Sequence, residues 1–352
     1  MGRVERRLLR VMAALSERGS TVHLICAPHS PMEDAARELG AECAPYHLDK
    51  LNYIRSRSRV RKYFQRYEQV IAHSAGYDAD LLTRYAAAGL RTRAVNTIPC
   101  TDWPRVGTGP FSRWVRNTLE MQSLDKADAI VADCRRLAER LREAGFPPDD
   151  ILIDPPSIDV GEVTRQAEES VDLRGVHGPL IGYGGRIEPS RGLENLVAAS
   201  AILDARGVLA QAVIAGEGPL LKSLRDDVRS SRVKYLGWID SVPAVLKRLT
   251  VAVFPSTEPG VPTSLLEAAV LGRPIVASRV EGIAELFEDG SEIRLVTPGD
   301  PRALAAAIAE LVESPERAAA MGERARHRVI DEYSSTASIE RHMALYRRFL
   351  KG

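Results

Sequence analysis

The chain has 352 residues, of which 45% are apolar and 27% charged, and its formal net charge is +1. Those values describe a globular protein with room for two or three domains, and they exclude a disordered chain or a strongly basic nucleic-acid binder. Cys26, Cys43, Cys100 and Cys134 are far apart and form no C-x-x-C pair, which argues against a zinc site and a disulfide scaffold and fits reduced thiols in a cytoplasmic protein. No apolar run reaches the ~20 residues needed to cross a bilayer, and no signal peptide is visible, so any membrane contact is with a surface.

The chain opens on an amphipathic helix, "MGRVERRLLRVMAALSERG". A doubly wound domain ordinarily places a strand before that helix, in the middle of its sheet. The first half therefore reads either as lacking its opening strand or as beginning further upstream. Next come a strand "TVHLICAP" and a helix "MEDAAREL". Residues 1–66 carry 13 Lys/Arg against 7 Asp/Glu, and "RSRSRVRKYFQR", Arg55–Arg66, has six basic residues and no acid. That run is either a solvated helix face or a patch for an anionic membrane surface or a phosphorylated acceptor.

Alternation then continues: "QVIAHS" before "YDADLLTRYAAAG", "RAVNTI" before "SRWVRNTLEMQSLDKA", "AIVAD" before "CRRLAERLREAG", and "ILIDPP". After the polar stretch "VGEVTRQAEESVDLRGVHG", a second series runs "PLIGYGG", "QAVIAGEG", "VKYLG", "VAVFPS", "PIVAS" and "IRLVTP", with helices between and after them. Short Val/Ile-rich strands separated by helices imply parallel sheets built from βαβ units. The expected fold class is α/β: two Rossmann-like domains with parallel sheets facing an interdomain cleft. We place them at residues 1–165 and 166–335, with helix 336–352 packing back on the first.

Two stretches carry groups suited to ligand chemistry. "GYGGRIEPSRG" follows a buried strand, so its glycines allow close backbone approach and Arg186 and Arg191 flank a turn. Two guanidinium groups there suit a diphosphate; the alternative is a pair of ordinary surface arginines. "STEPGVPTSLLEAAVLGRP" holds Glu258 in a Pro/Gly-rich loop and Glu267 near a helix start. Ser264 and Glu267 have the spacing of a capping box, which would tie Glu267 to the helix end. Alternatively the two acids grip hydroxyls on either side of a phosphate group, as a nucleotide sugar would present them.

The set "GGRIEPSRG", "IAGEGP", "VKYLGWI", "VFPSTEPGVPTSLLEAAVLGRPIVAS", "EGIAELFEDG" and "LVTPGD", in this order, resembles glycosyltransferase family 4, and the likeness extends over essentially the whole chain. That resemblance implies the GT-B fold and a retaining, metal-independent transfer of a hexosyl group from a nucleotide-sugar donor, UDP- or GDP-linked, to a glycan, lipid-linked or small-molecule hydroxyl. It implies that Gly184, Gly185, Arg186 and Arg191 meet the donor diphosphate and that Gly216 and Gly237 border the nucleotide. Glu267 would hold the ribose, Glu258 the donor sugar, and Gly260, Val261, Pro262 and Thr263 the backbone between them. The loop from Glu258 to Glu267 is one residue longer than the family's usual spacing. On the acceptor side it points to Gly2, Arg3, His73 and Asp102, with His73 also a catalytic candidate. No cofactor, metal or nucleic-acid partner is expected, and the location is cytoplasmic, with peripheral contact at the inner membrane face through Arg55–Arg66. A GT-B protein of other chemistry, such as an epimerase or a phosphorylase, and a nucleotide-binding member without turnover remain alternatives.

Overall fold

Strand segments with apolar side chains on both faces need cover on both sides. Here β5 (Ala129–Ala132) and β10 (Val251–Phe254) are buried along their whole length. The computed structural model describes residues 3–46, 53–99, 110–173, 175–227 and 233–350. Its contacts divide the chain into unit 1, Met1–Pro156 with Ser335–Gly352, and unit 2, Ser157–Ser334.

In unit 1, α1 (Arg3–Glu17) leads to β1 (His23–Cys26), α2 (Pro31–Glu38) and β2 (Glu42–Pro45). Then come α3 (Tyr53–Phe64), β3 (Ile71–Ala75), α4 (Tyr77–Ala87), β4 (Arg93–Ile98), α5 (Pro110–Ser123), β5, α6 (Arg135–Glu143) and β6 (Ile151–Ile153). Strands β3-β4-β5-β6 form one parallel sheet, while β1 and β2 pair in parallel as a sheet of their own. Among the described residues no strand joins the two pieces. The last helix, α15 (Ser335–Leu350), also belongs to unit 1: its Met343, Leu345 and Tyr346 share a core with Val11, Val95, Ala129 and Val131.

Polar residues fasten unit 1 as well. Asp154, just past β6, is fully buried and accepts from Arg7 Nη1 (3.0 Å), Ser338 Oγ (2.7 Å) and Arg341 Nε (2.8 Å). Arg7 lies on α1, and Ser338 and Arg341 lie on α15, so one carboxylate ties both helices to the sheet. A second buried set surrounds Arg84 of α4, which donates to Asn96 Oδ1 (2.7 Å), Ser123 Oγ (2.9 Å) and Glu120 Oε1 (3.0 Å). Buried charges persist only when paired in this way.

Unit 2 begins earlier than residue 166. The polar stretch between the two series contains α7 (Val160–Gln166), capped by Asp159, which accepts from Glu162 N–H (2.9 Å). Val163 is buried, α7 packs on later helices of unit 2, and Ile158 pairs with Ser334. Capping and burial outweigh the polar composition. Thereafter β7 (Leu180–Gly184), α8 (Leu193–Ala205), β8 (Gln211–Ala215), α9 (Leu221–Asp226), β9 (Val233–Gly237) and α10 (Val242–Leu246) precede β10. They are followed by α11 (Thr263–Val270), β11 (Ile275–Ser278), α12 (Ile283–Leu286), β12 (Arg294–Val296), α13 (Pro301–Glu313) and α14 (Pro315–Glu332). The six strands are all parallel, in the order β12-β11-β10-β7-β8-β9.

Candidate active site

The strand order of unit 2 changes direction between β7 and β10: from β7 the chain proceeds outward through β8 and β9, then returns to β10 on the other side. Such a switch point leaves a crevice at the carboxyl ends of the two strands, because their following loops diverge. The loop after β7 carries Gly184, Gly185, Arg186 and Arg191. The loop after β10 carries Glu258 and leads into α11. Thr257 N–H donates to Ser190 O at 3.0 Å, which fastens the two loops to each other. Gly192 allows this approach: its φ is 59°, and a Cβ there would lie 2.2 Å from Pro255 O.

A third loop joins from β8. Gly185 N–H donates to Ala215 O (3.0 Å) and Ile187 N–H to Glu217 O (2.8 Å). Gly216 has φ 124°, a Cβ there would lie 1.9 Å from Gly185 O, and its N–H donates to Gly237 O (2.8 Å). The residues expected at the nucleotide, Gly184, Gly185, Gly216 and Gly237, are thus brought together at one end of one sheet.

The N-terminus of α11 faces the same place. A Cβ on Gly185 would lie 3.3 Å from Ser264 Oγ. Pro262 is the N-cap residue and makes no side-chain cap, so Thr263 and Ser264 open the helix. A helix start beside a glycine turn presents unsatisfied N–H groups and the positive end of the helix dipole to an anion. The capping box does not form: Ser264 lies inside the helix, and Glu267 sits in its second turn. The proline at the N-cap moves the start of the helix ahead of the serine.

Around this turn the charges converge. Tyr183, only 2% exposed, donates from its hydroxyl to Arg186 O (2.9 Å). Burial pushes its pKa up to about 12, and the group also feels Arg191, Glu188, Arg186 and Glu267. Four of the charged residues of the two stretches therefore act on one buried hydroxyl. Arg186 is 74% exposed and pairs with Glu188 at 2.8 Å, which holds its pKa above the usual arginine value. Arg191 is half-buried, and its guanidinium makes no hydrogen bond or ion pair with any described residue, so its side-chain donors are open to a ligand. Glu258 is exposed and Glu267 half-buried. Gly260, Val261 and Pro262 lie between them, with Gly260 N–H donating to Glu281 O (2.9 Å). Tyr183 and Glu188 were not singled out in the sequence, and Ser264 was read only as half of a capping box. A tyrosine inside a strand reads as core, and only the return of the Arg186 carbonyl to its hydroxyl reveals its place beneath the turn.

On unit 1, His73 is half-buried, and both of its ring nitrogens are taken up within the fold. Nδ1 is bonded to the Tyr346 hydroxyl of α15 and Nε2 lies 2.7 Å from Thr97 Oγ1. The ring also stacks on His342, with centroids 5.6 Å apart. Burial, followed by the nearby His342 and Arg7, pushes its pKa well below the ordinary 6.5, so the ring is neutral. Gly2, Asp102 and the side chain of Arg3 lie outside the described residues.

Comparison with known proteins gives this geometry a family. Residues 178–314 match "Glycosyl transferases group 1", and residues 2–156 match "Glycosyl transferase 4-like domain". The chain belongs to the family-4-like glycosyltransferases. This glycosyltransferase is 28% identical over 320 residues to alpha-D-kanosaminyltransferase of Streptomyces kanamyceticus, covering 84% of this chain and 80% of the relative. It is 32% identical over 212 residues to 2-deoxystreptamine N-acetyl-D-glucosaminyltransferase of Streptomyces fradiae, covering 56% and 50%. Among solved structures it resembles Anabaena Alr3699/HepE, crystallised with UDP, at a TM-score of 0.82 and 17% identity over 99% of this chain and 96% of that one. A glycosyltransferase of Rickettsia africae superposes at 0.78 with 15% identity, covering 99% and 95%. At such identities the structural likeness is one of fold, and that fold is GT-B.

Proposed function

We propose that this glycosyltransferase moves a hexosyl group from a nucleotide-sugar donor to an acceptor hydroxyl with retention of configuration and without a metal. Unit 2 binds the donor and unit 1 the acceptor, a glycan, lipid-linked or small molecule. The observation that carries the reading is the joining of the Arg191 and Glu258 loops at the switch point, beside the start of α11. A nucleoside diphosphate fits this chemistry: the phosphates meet helix N–H groups, Arg186 and Arg191, while the carboxylates of Glu258 and Glu267 accept from sugar hydroxyls. The solved relatives with UDP and with UDP-glucose support a uridine donor.

In this reading the bond from the anomeric carbon to the diphosphate oxygen breaks with its electron pair passing to the diphosphate. The acceptor oxygen bonds the same carbon from the same face, and its proton passes to the departing oxygen. Arg186 and Arg191 stabilise the growing negative charge. Arg186 leaves Glu188 to do so. Glu267 anchors the ribose and Glu258 orients the transferred sugar. His73 supports the fold of unit 1, since its ring nitrogens are already engaged. The location proposed with this reading is cytoplasmic, and unit 1 meets an anionic membrane surface through Arg55–Arg66.

The test is a panel of nucleotide sugars with candidate acceptors, read by mass spectrometry. A new glycoside formed with release of nucleoside diphosphate is expected. Epimerised donor without a glycoside, or nucleotide binding without turnover, would replace the proposal with one of the alternative chemistries.

A further inference from the structure

Helices α3, α4 and α5 form one layer of unit 1, with α4 packed against both of its neighbours. On α3, Ser56, Val60 and Phe64 are buried. Two of the arginines on α3 are used internally. Arg57 Nε donates to Tyr85 O (3.0 Å), and Arg61 Nη1 donates to Ala86 O (3.0 Å) and Ala88 O (2.6 Å), at the end of α4. The other cations differ. Arg55, Arg59 and Lys62 recur at helical spacing along the opposite face, and their side chains make no hydrogen bond or ion pair with any described residue. Beside them Ile54 is 81% exposed. α5 repeats the pattern with apolar groups. Glu120 and Ser123 face inward, while Trp114 is 64% exposed and Met121, two turns on, 45%.

We propose that the outer face of α3 and α5 docks on a bilayer containing anionic lipid. Arg55, Arg59 and Lys62 meet the lipid phosphates, and Ile54, Trp114 and Met121 enter the interfacial region. Two features favour a lipid surface over a soluble phosphorylated molecule. The three cations spread over ~10 Å of an outward helix face and do not converge on one point, so no single phosphate can engage them all. The exposed Ile, Trp and Met side chains gain free energy only where apolar surface is removed from water, and Trp is favoured at the bilayer interface. Few acids oppose the contact: α3 has none, Asp78 of α4 is half-buried, and Asp125 is paired with Lys126 at 2.9 Å. The proposal rests on the transfer reading only for its purpose, which is to bring unit 1 to a membrane-borne acceptor.

The experiment is vesicle flotation of the full chain without donor, using phosphatidylcholine alone or mixed with phosphatidylglycerol. Binding is expected only to the mixed vesicles, and it should fall as salt rises. Replacing Arg55, Arg59 and Lys62 together by Gln should weaken it on the order of a hundredfold, at about fivefold per cation. Trp114→Ser should remove the residual binding that survives high salt. Circular dichroism and nucleotide titration report whether each variant is folded, so a failed flotation with nucleotide binding intact overturns only this proposal. Equal binding to neutral vesicles, an unaffected triple variant, or displacement by free glycerol phosphate would each overturn it, the last assigning the ridge to a soluble phosphorylated molecule.

Discussion

The main-chain N–H of Thr257 donates to the carbonyl of Ser190 at 3.0 Å. One residue beyond each partner lie Glu258 and Arg191. A carboxylate loop and a guanidinium loop, remote in sequence, are thereby held as neighbours.

The fastening depends on Gly192. Gly192→Ala should destabilise unit 2 by about 2 kcal/mol or more, because the left-handed φ alone costs an L-residue ~1–2 kcal/mol and the new methyl meets Pro255 O. Gly207→Ala is the control: its φ is 73°, but nothing lies within 4 Å of a Cβ there. Urea melts should separate the two, with nucleotide affinity lost only in the first. Equal effects would show that the loop contact adds nothing.

Arg191→Ala and Glu267→Gln should each weaken nucleoside diphosphate binding by about tenfold or more, the usual scale for a hydrogen bond to a charged group. Calorimetry checks this, and unchanged affinity in both would remove the donor-site assignment. Glu258→Gln should lower turnover more than nucleotide affinity. A parallel fall in both would place Glu258 at the nucleotide instead of the sugar.

Asp154→Ala should unfold unit 1 far more readily, with a loss of about 3–5 kcal/mol, because it leaves Arg7 buried without its partner. Thermal melting followed by a probe in unit 1 measures it. A change within experimental error would mean that solvent reaches the Arg7 guanidinium once the carboxylate is gone.

Acid should weaken unit 1 through its two stacked histidines. Burial is the first cause that lowers the pKa of both His73 and His342 below the ordinary 6.5. The unfolded chain then takes up protons that the folded one refuses, so this contribution is complete above about pH 6.5 and is lost as pH falls below it. Melting temperatures between about pH 7.5 and 5.5 should decline, and His73→Gln should flatten the slope. An unchanged slope in that variant would clear His73 of the effect.

The sequence determined what local chemistry can determine. Runs such as "AIVA" and "VAVF" are apolar on both faces and so specify covered parallel strands, and the glycines of "GYGG" and "GEG" mark where backbone must approach backbone. The grouping of motifs was enough to indicate the family. Nothing local says that β7 and β10 are neighbours. That is settled by strand order, which depends on packing between segments far apart in the chain, and it alone makes one site of Arg191, Glu258 and the start of α11. The same non-local packing drew a polar stretch into unit 2 as α7 and enclosed His73 between Thr97 and Tyr346. Side-chain partners supplied by distant helices decide such roles, and they exist only once the chain is folded.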